Sequence, residues 1–254
     1  MRDSEPFDLT RPRSLGGILT GAADLYHRFP RLFAVLAFGV IAPWQLALLA
    51  ITGYGPLHRG PEGLATFLLV QLLRNCLIGP LISALHVHAV VEIGEARRPT
   101  LVTVARHGLL VLPVVAAAEI MANIGIILGF IALLVPGILL AIRWSVVAQV
   151  AAIERTDWSD ALRRSGELAR GHYGHVVAVF LTGALLTFAL ASLVRLVPLG
   201  DTSGAGSVAA GIALNTVTFS FTALTLALLY FDLRARPKAA PAAPREHPHL
   251  RDLD

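Results

Sequence analysis

The sequence predicts an all-α polytopic membrane helix bundle of about six transmembrane helices, and three observations predict it. Apolar runs recur along the chain, each near the roughly 20 residues needed to cross a bilayer's hydrocarbon core. The composition is 55% hydrophobic and 15% charged, with a mean hydropathy of +0.67, more apolar than a soluble fold can hide. The arginines gather in polar segments between alternate runs, a pattern set by membrane topology.

The first span is expected from Arg31 to Ile51 and the second from Leu64 to Val91, with Gly53-Tyr54-Gly55-Pro56 and Gly60-Pro61 turning the chain between them. The third runs from Gly108 to Ile127 and the fourth from Ala132 to Ile153, joined as a tight hairpin. Val135-Pro136-Gly137 should interrupt the fourth near its outer end. The fifth covers His175 to Val197 and the sixth Ser207 to Leu233, separated by Pro198 to Gly206. The chain divides into a polar N-terminal tail, 1–13, a membrane domain, 14–236, and a Pro/Ala-rich tail, 237–254, expected to be disordered. Met1 to Ser14 carries Asp3, Glu5 and Asp8, and the first apolar run is too long for a signal core, so the first span is expected to stay in the mature protein.

Each of the three hairpins follows a less hydrophobic segment with apolar residues at helical spacing: Ser14 to Phe29, Thr100 to His107, and Trp158 to Gly171. The last carries Asp160, Arg163, Arg164, Glu167 and Arg170 on its polar face. These segments are expected to be interfacial helices with their apolar stripes towards the acyl chains. The chain thus reads as three repeats of an interfacial helix plus a transmembrane hairpin.

Arginines precede the first span (Arg11, Arg13, Arg28, Arg31), separate the second from the third (Arg97, Arg98, Arg106) and the fourth from the fifth (Arg155, Arg163, Arg164, Arg170), and follow the sixth (Arg234, Arg236). The other side offers Arg59 and Arg195, so both termini are expected in the cytoplasm. A net charge of +4 distributed in this way does not point to nucleic acid. Cys76 is the sole cysteine, which excludes an intramolecular disulfide.

Leu134-Val-Pro-Gly-Ile-Leu-Leu-Ala-Ile-Arg-Trp144, then Glu154 and Asp160-Ala-Leu-Arg-Arg-Ser-Gly-Glu-Leu-Ala-Arg-Gly171, resemble the membrane domain of glycerophosphoryl diester phosphodiesterase membrane-domain proteins and the related YciC-like bacterial inner-membrane proteins. Phe29 to Phe33, with Tyr26, fits that family's opening segment. The resemblance covers about Arg13 to Arg236 and is specific only from Pro136 to Gly171. It implies a bacterial inner membrane location. In the family, the phosphodiesterase chemistry belongs to a separate soluble barrel of about 250 residues, for which this chain has no room, so no catalytic residue carries over.

Charges inside a span point to function or to structural pairing. Counting about 1.5 Å per residue brings Arg74, Glu119 and Arg143 to one depth. Gln71, Arg74 and Asn75 share a face, and Asn123 lies one turn beyond Glu119. The expectation is a net positive interior site. It would either bind an anionic group such as a lipid phosphate or serve as a salt-bridge network that fixes helix register. His86 and His88 diverge around their helix and cannot share a metal from that spacing. No catalytic, cofactor or metal motif is present. Gly125-Ile-Ile-Leu-Gly129 suits close helix packing within the bundle.

The expected function is therefore a non-catalytic membrane protein that organises lipid, in particular anionic phospholipid, or a protein partner, with Arg163, Arg164 and Arg170 as surface contacts. A small transporter or lipid-translocating protein is the alternative, and a continuous polar path to both faces would distinguish it. An enzyme acting on a lipid head group comes third, because it needs an acid, base or metal cluster.

Overall fold

A computed structural model of the chain describes residues 8–53, 55, 63–196 and 204–237. The expected tail from 238 onward, most of the first turn and the 197–203 linker lie outside these residues. The helices in chain order are α1 (Leu15–Arg28), α2 (Pro30–Thr52), α3 (Leu64–Leu73), a π turn (Arg74–Ile78), α4 (Gly79–Gly94), α5 (Leu101–Ala132), α6 (Leu134–Arg143), α7 (Val147–Glu154), α8 (Trp158–Ala169), α9 (Tyr173–Leu196) and α10 (Ala205–Ala235). No strand occurs among the described residues. Six helical stretches are long and apolar enough to cross a membrane, with α3 to α4 and α6 to α7 each counting as one. The chain is a multi-pass, all-α membrane protein. Its outer surface is apolar: Leu110, Leu181 and Phe188 are 69%, 66% and 66% exposed, as lipid-facing side chains are.

The second span widens into a π turn because Pro80 has no N–H to offer the carbonyl one turn earlier. The Gly79 N–H reaches back five residues to the Arg74 carbonyl instead. The fourth span breaks elsewhere than expected. Pro136 sits in the first turn of α6, where a missing N–H leaves no helical bond unmade, and the hairpin bends at the extended residue Leu133. The real interruption is at Trp144–Val146, between α6 and α7. Close packing across this hairpin rests on the small residues: a Cβ on Gly125 would stand 2.4 Å from the Trp144 ring, and one on Gly129 would stand 3.0 Å from the Gly137 backbone.

Two of the three amphipathic segments are separate helices, α1 and α8. The third is the opening of α5, which runs on through Gly108 and Pro113 as one helix from Leu101 to Ala132. Thr100 caps it by accepting from the Thr103 N–H. The stripes of α1 and α8 pack largely on protein, which corrects their expected orientation towards lipid, whereas Leu101 at the opening of α5 is exposed. In α1, Ile18, Ala22 and Leu25 are buried as the helix packs on α10, α2 and α9. In α8, Ala161, Ser165, Gly166, Leu168 and Ala169 are buried as it packs on α7, α5 and α6. Small side chains let α8 seat inside the bundle, which leaves its charged face and Trp158 outward. Arg155 (φ 50°) turns the chain from α7 into α8, and Asp157 caps α8 by accepting from the Asp160 N–H at 2.8 Å.

Candidate functional site

Arg13, α8, the end of α10 and the start of α9 meet at one arginine-rich face. Asp232, in the last turns of α10, is fully buried there. It accepts from the Arg13 backbone N–H at 2.6 Å and from Arg236 Nε at 2.8 Å, and His175 Nε2 stands 3.0 Å away. Arg236 returns a bond to the Arg13 carbonyl at 2.7 Å. Burial pushes the Arg13 guanidinium down from its ordinary value, against the opposing pull of Asp8 and Asp232. A second carboxylate, Glu154, ends α7. It accepts from Arg164 Nε at 3.2 Å and from the Tyr230 hydroxyl at 3.1 Å.

Between these two clusters opens a cavity of about 360 Å³ lined by Arg164, Arg170, His172, Arg234 and Arg236, with Glu167 the one acid at its wall. Counting Glu154 and Asp232 beneath them, four guanidinium groups face three carboxylates, which leaves a net positive charge before His172 is counted. Arg164 and Arg236 are held by their acids. Arg170 and Arg234 are exposed at the mouth, and among the described residues neither makes an ion pair. Of the three expected surface contacts, Arg164 and Arg170 line this cavity and Arg163 does not. Arg163 is bound along its own helix to Asp160 at 2.8 Å and Glu167 at 3.1 Å, and those two acids hold its guanidinium above the ordinary value.

The expected interior site divides. Asn75, Glu119 and Asn123 line a cavity of about 290 Å³ together with Ser83 and Thr222. Gln71 and Arg74 do not line it, although both are half-buried on the neighbouring turns. Among the described residues no ion pair joins Glu119 to either arginine. Arg143 is exposed at the end of α6, where its side chain crosses Gly166 of α8: a Cβ there would stand 2.5 Å from Arg143 Nε. Ser165 Oγ donates to the Arg143 carbonyl at 3.0 Å. Equal depth was the wrong criterion, because azimuth decides contact, and the break after Arg143 turns this side chain towards α8. The interior cavity therefore holds one carboxyl group and no guanidinium, in place of the net positive site expected.

His86 is buried. Its Nδ1–H donates to the Ile82 carbonyl at 2.9 Å, which leaves Nε2 to accept from the Ser220 hydroxyl at 2.7 Å, and its ring stacks on Phe33. It thereby ties α4 to α10 and α2. His88 bonds the Ala84 carbonyl and stacks on His107. Among the described residues no three His, Cys, Asp or Glu side chains stand close enough to hold a metal.

Sequence reasoning missed Asp232, Glu154, Tyr230, Arg234 and His172. The signal was an acid two residues before Arg234 and four before Arg236 at the end of an apolar run, the spacing of a helical ion pair. Compared with known proteins, the chain matches no family model, no curated protein and no solved structure.

Proposed function

We propose that this protein is a non-catalytic membrane module that gathers anionic phospholipid at its arginine-rich face. The observation that carries this reading is the cavity between α8 and the end of α10, where the exposed Arg170 and Arg234 line the same space as the acid-bound Arg164 and Arg236. A guanidinium pair suits a phosphate because its planar donors match the oxygens two at a time. Basic pockets at the ends of transmembrane helices favour anionic head groups, at about 1 kcal/mol per arginine. Excess arginine on this face supports a cytoplasmic orientation for both termini, in a bacterial inner membrane.

Membership in the family that Pro136 to Gly171 resembles belongs to the same reading. In its support, the two most recognisable parts of that stretch, Arg143-Trp144 and Ser165-Gly166, dock on each other, which gives the motif a structural cause. The translocation alternative needs a continuous polar path. The arginine cavity and the Glu119 cavity have no lining residue in common, which favours the lipid-organising reading.

The test is binding of the purified protein to vesicles of phosphatidylcholine with and without phosphatidylglycerol. Arg170→Glu with Arg234→Glu should lower anionic-vesicle affinity by more than tenfold, since each group contributes about 1 kcal/mol and reversal doubles the change. Arg163→Glu should do less. Equal loss from all three positions would reduce the effect to bulk surface charge and sink the pocket reading.

A further inference from the structure

The Glu119 cavity lies near the middle of the membrane. Glu119 is about 17 Å along α5 from Gly108 and about 20 Å from Ala132, at 1.5 Å per residue. Thr222 is similarly central in α10. The cavity fills a gap between α5 and α10: α4 is the main neighbour that the two helices share, and it forms the floor. Its walls are acceptor-rich. Asn123 Nδ2 donates to the Glu119 backbone carbonyl at 2.8 Å, which leaves the Asn123 Oδ1 free to accept, and Ser83 and Thr222 add hydroxyl oxygens. The Glu119 carboxyl has no hydrogen bond or ion pair among the described residues, and no lysine or arginine lines the cavity.

Thr222 and Leu226 also line a second, apolar space of about 440 Å³, the groove between α9 and α10 walled by Phe180, Gly183, Phe188 and Phe221. The two spaces therefore adjoin, with Thr222 and Leu226 in the wall of both. The groove exists because α9 stands at the edge of the bundle, with only 11% of Tyr173–Leu190 buried. From Val179 to Phe188 it extends about 14 Å along α9. That is close to the length of one leaflet's acyl chain, half of a hydrocarbon core of about 30 Å.

We propose that these adjoining spaces bind a single-chain amphiphile with a primary-amine head, its ammonium group on the Glu119 carboxylate and its alkyl chain in the α9–α10 groove. Charge complementarity selects the head: an uncompensated carboxylate in low dielectric favours a cation, and the three donors of an ammonium group match the acceptors of Glu119, Asn123 and Thr222. A phosphate head, or a zwitterionic one, would bring a negative charge to a cavity without a guanidinium. This site is independent of the arginine cavity and of the reading built on it.

The experiment uses the full chain in phosphatidylcholine nanodiscs and a dodecylamine carrying a mid-chain diazirine, with the matching dodecanol and dodecyl phosphate as controls. Labelled peptides are mapped after illumination. The amine should label α9 and α10 around Phe180, Phe188 and Phe221, at least about tenfold above either control, the lower end for a charge-assisted bond. Glu119→Gln should remove that preference. Gly183→Trp should reduce labelling with Glu119 intact, and it is sterically open, since nothing lies within 4 Å of a Cβ at Gly183. Equal labelling by amine and phosphate would overturn the proposal, as would amine labelling unchanged in either variant when its unfolding curve matches the parent. Should Glu119→Gln fail to fold, Gly183→Trp and the head-group comparison decide.

Discussion

The Arg13 backbone N–H and the Asp232 carboxylate, 219 residues apart in sequence, meet at 2.6 Å and close the arginine-rich face. Asp232 is the hub, because Arg236 and His175 reach the same carboxylate. Removing its charge leaves a buried guanidinium without its acid, and breaking such a pair typically costs about 3–5 kcal/mol, less where water reaches one partner. Arg236 is 21% exposed at its side chain, so Asp232→Asn should destabilise by about 2–3 kcal/mol. Thermal unfolding in detergent, with Asp8→Asn as the surface control, checks this. Equal melting of the two variants would show that the clasp contributes nothing.

Arg143 and Gly166 should be coupled, and Arg143 and Glu119 should not. A Cβ at Gly166 would press on the stem of Arg143 as well as its Nε, at 2.5 to 3.3 Å, and overpacking typically costs about 1–3 kcal/mol. Gly166→Ala should therefore destabilise, and adding Arg143→Ala should recover part of the loss. The pairs of Glu119→Gln with Arg74→Gln or Arg143→Gln should be additive within about 0.5 kcal/mol. A non-additive Glu119 cycle would mean that the interior charges do meet.

The helical class and the number of apolar spans were legible in the sequence because lipid imposes length and hydropathy on every crossing, one helix at a time. What was not legible depended on azimuth and on tertiary partners. Glu119 and Asn123 share one cavity because they lie one turn apart, which sequence spacing gives, but Arg74 and Arg143 lie on other helices whose rotation it does not give. The stripe of α8 was legible, whereas its partner was not: Ala161, Ser165 and Gly166 are apolar or small enough for lipid or protein, and packing chose protein. Asp232 drew no reading from the sequence, because its nearest partner, Arg13, belongs to the other end of the chain.

Gln149 is 1% exposed in α7, and among the described residues neither of its amide atoms has a hydrogen-bond partner; Ser145 Oγ, one turn before, also lacks one there. An unsatisfied buried polar group costs about 1–3 kcal/mol. Gln149→Met, close in length and without the amide, should raise the melting temperature in detergent. A fall would show that Gln149 is satisfied in the membrane.

Both ends of the bundle meet at one face, since Arg13 and Arg236 are hydrogen-bonded there. Reporter fusions near Arg98, near Arg164 and after Arg236 should therefore report the same compartment, the cytoplasm on the arginine excess, and fusions near Leu57 or Ser203 the opposite one. Opposite signals at Arg98 and Arg164 would remove one crossing and break the six-span arrangement.

The start of α8 should loosen in acid, with a sign fixed by its cap. Asp157 accepts from the Asp160 N–H at 2.8 Å and from the Ser159 hydroxyl at 2.9 Å, and these bonds hold its carboxyl below the ordinary carboxylate value. A group whose folded value is depressed stabilises fully above its unfolded value, and that contribution is lost as pH falls through the folded one. The first turn of α8 is thus protected at neutral pH and frays below the usual carboxylate range. Asp157→Asn keeps a cap oxygen of similar strength without a titrating group, so its α8 should lack that acid step. The measurement is amide hydrogen exchange at Asp160 to Leu162 across the acid range, corrected for intrinsic rates and compared between Asp157→Asn and the parent chain. Identical pH profiles would show that the Asp157 cap does not set the acid behaviour of α8.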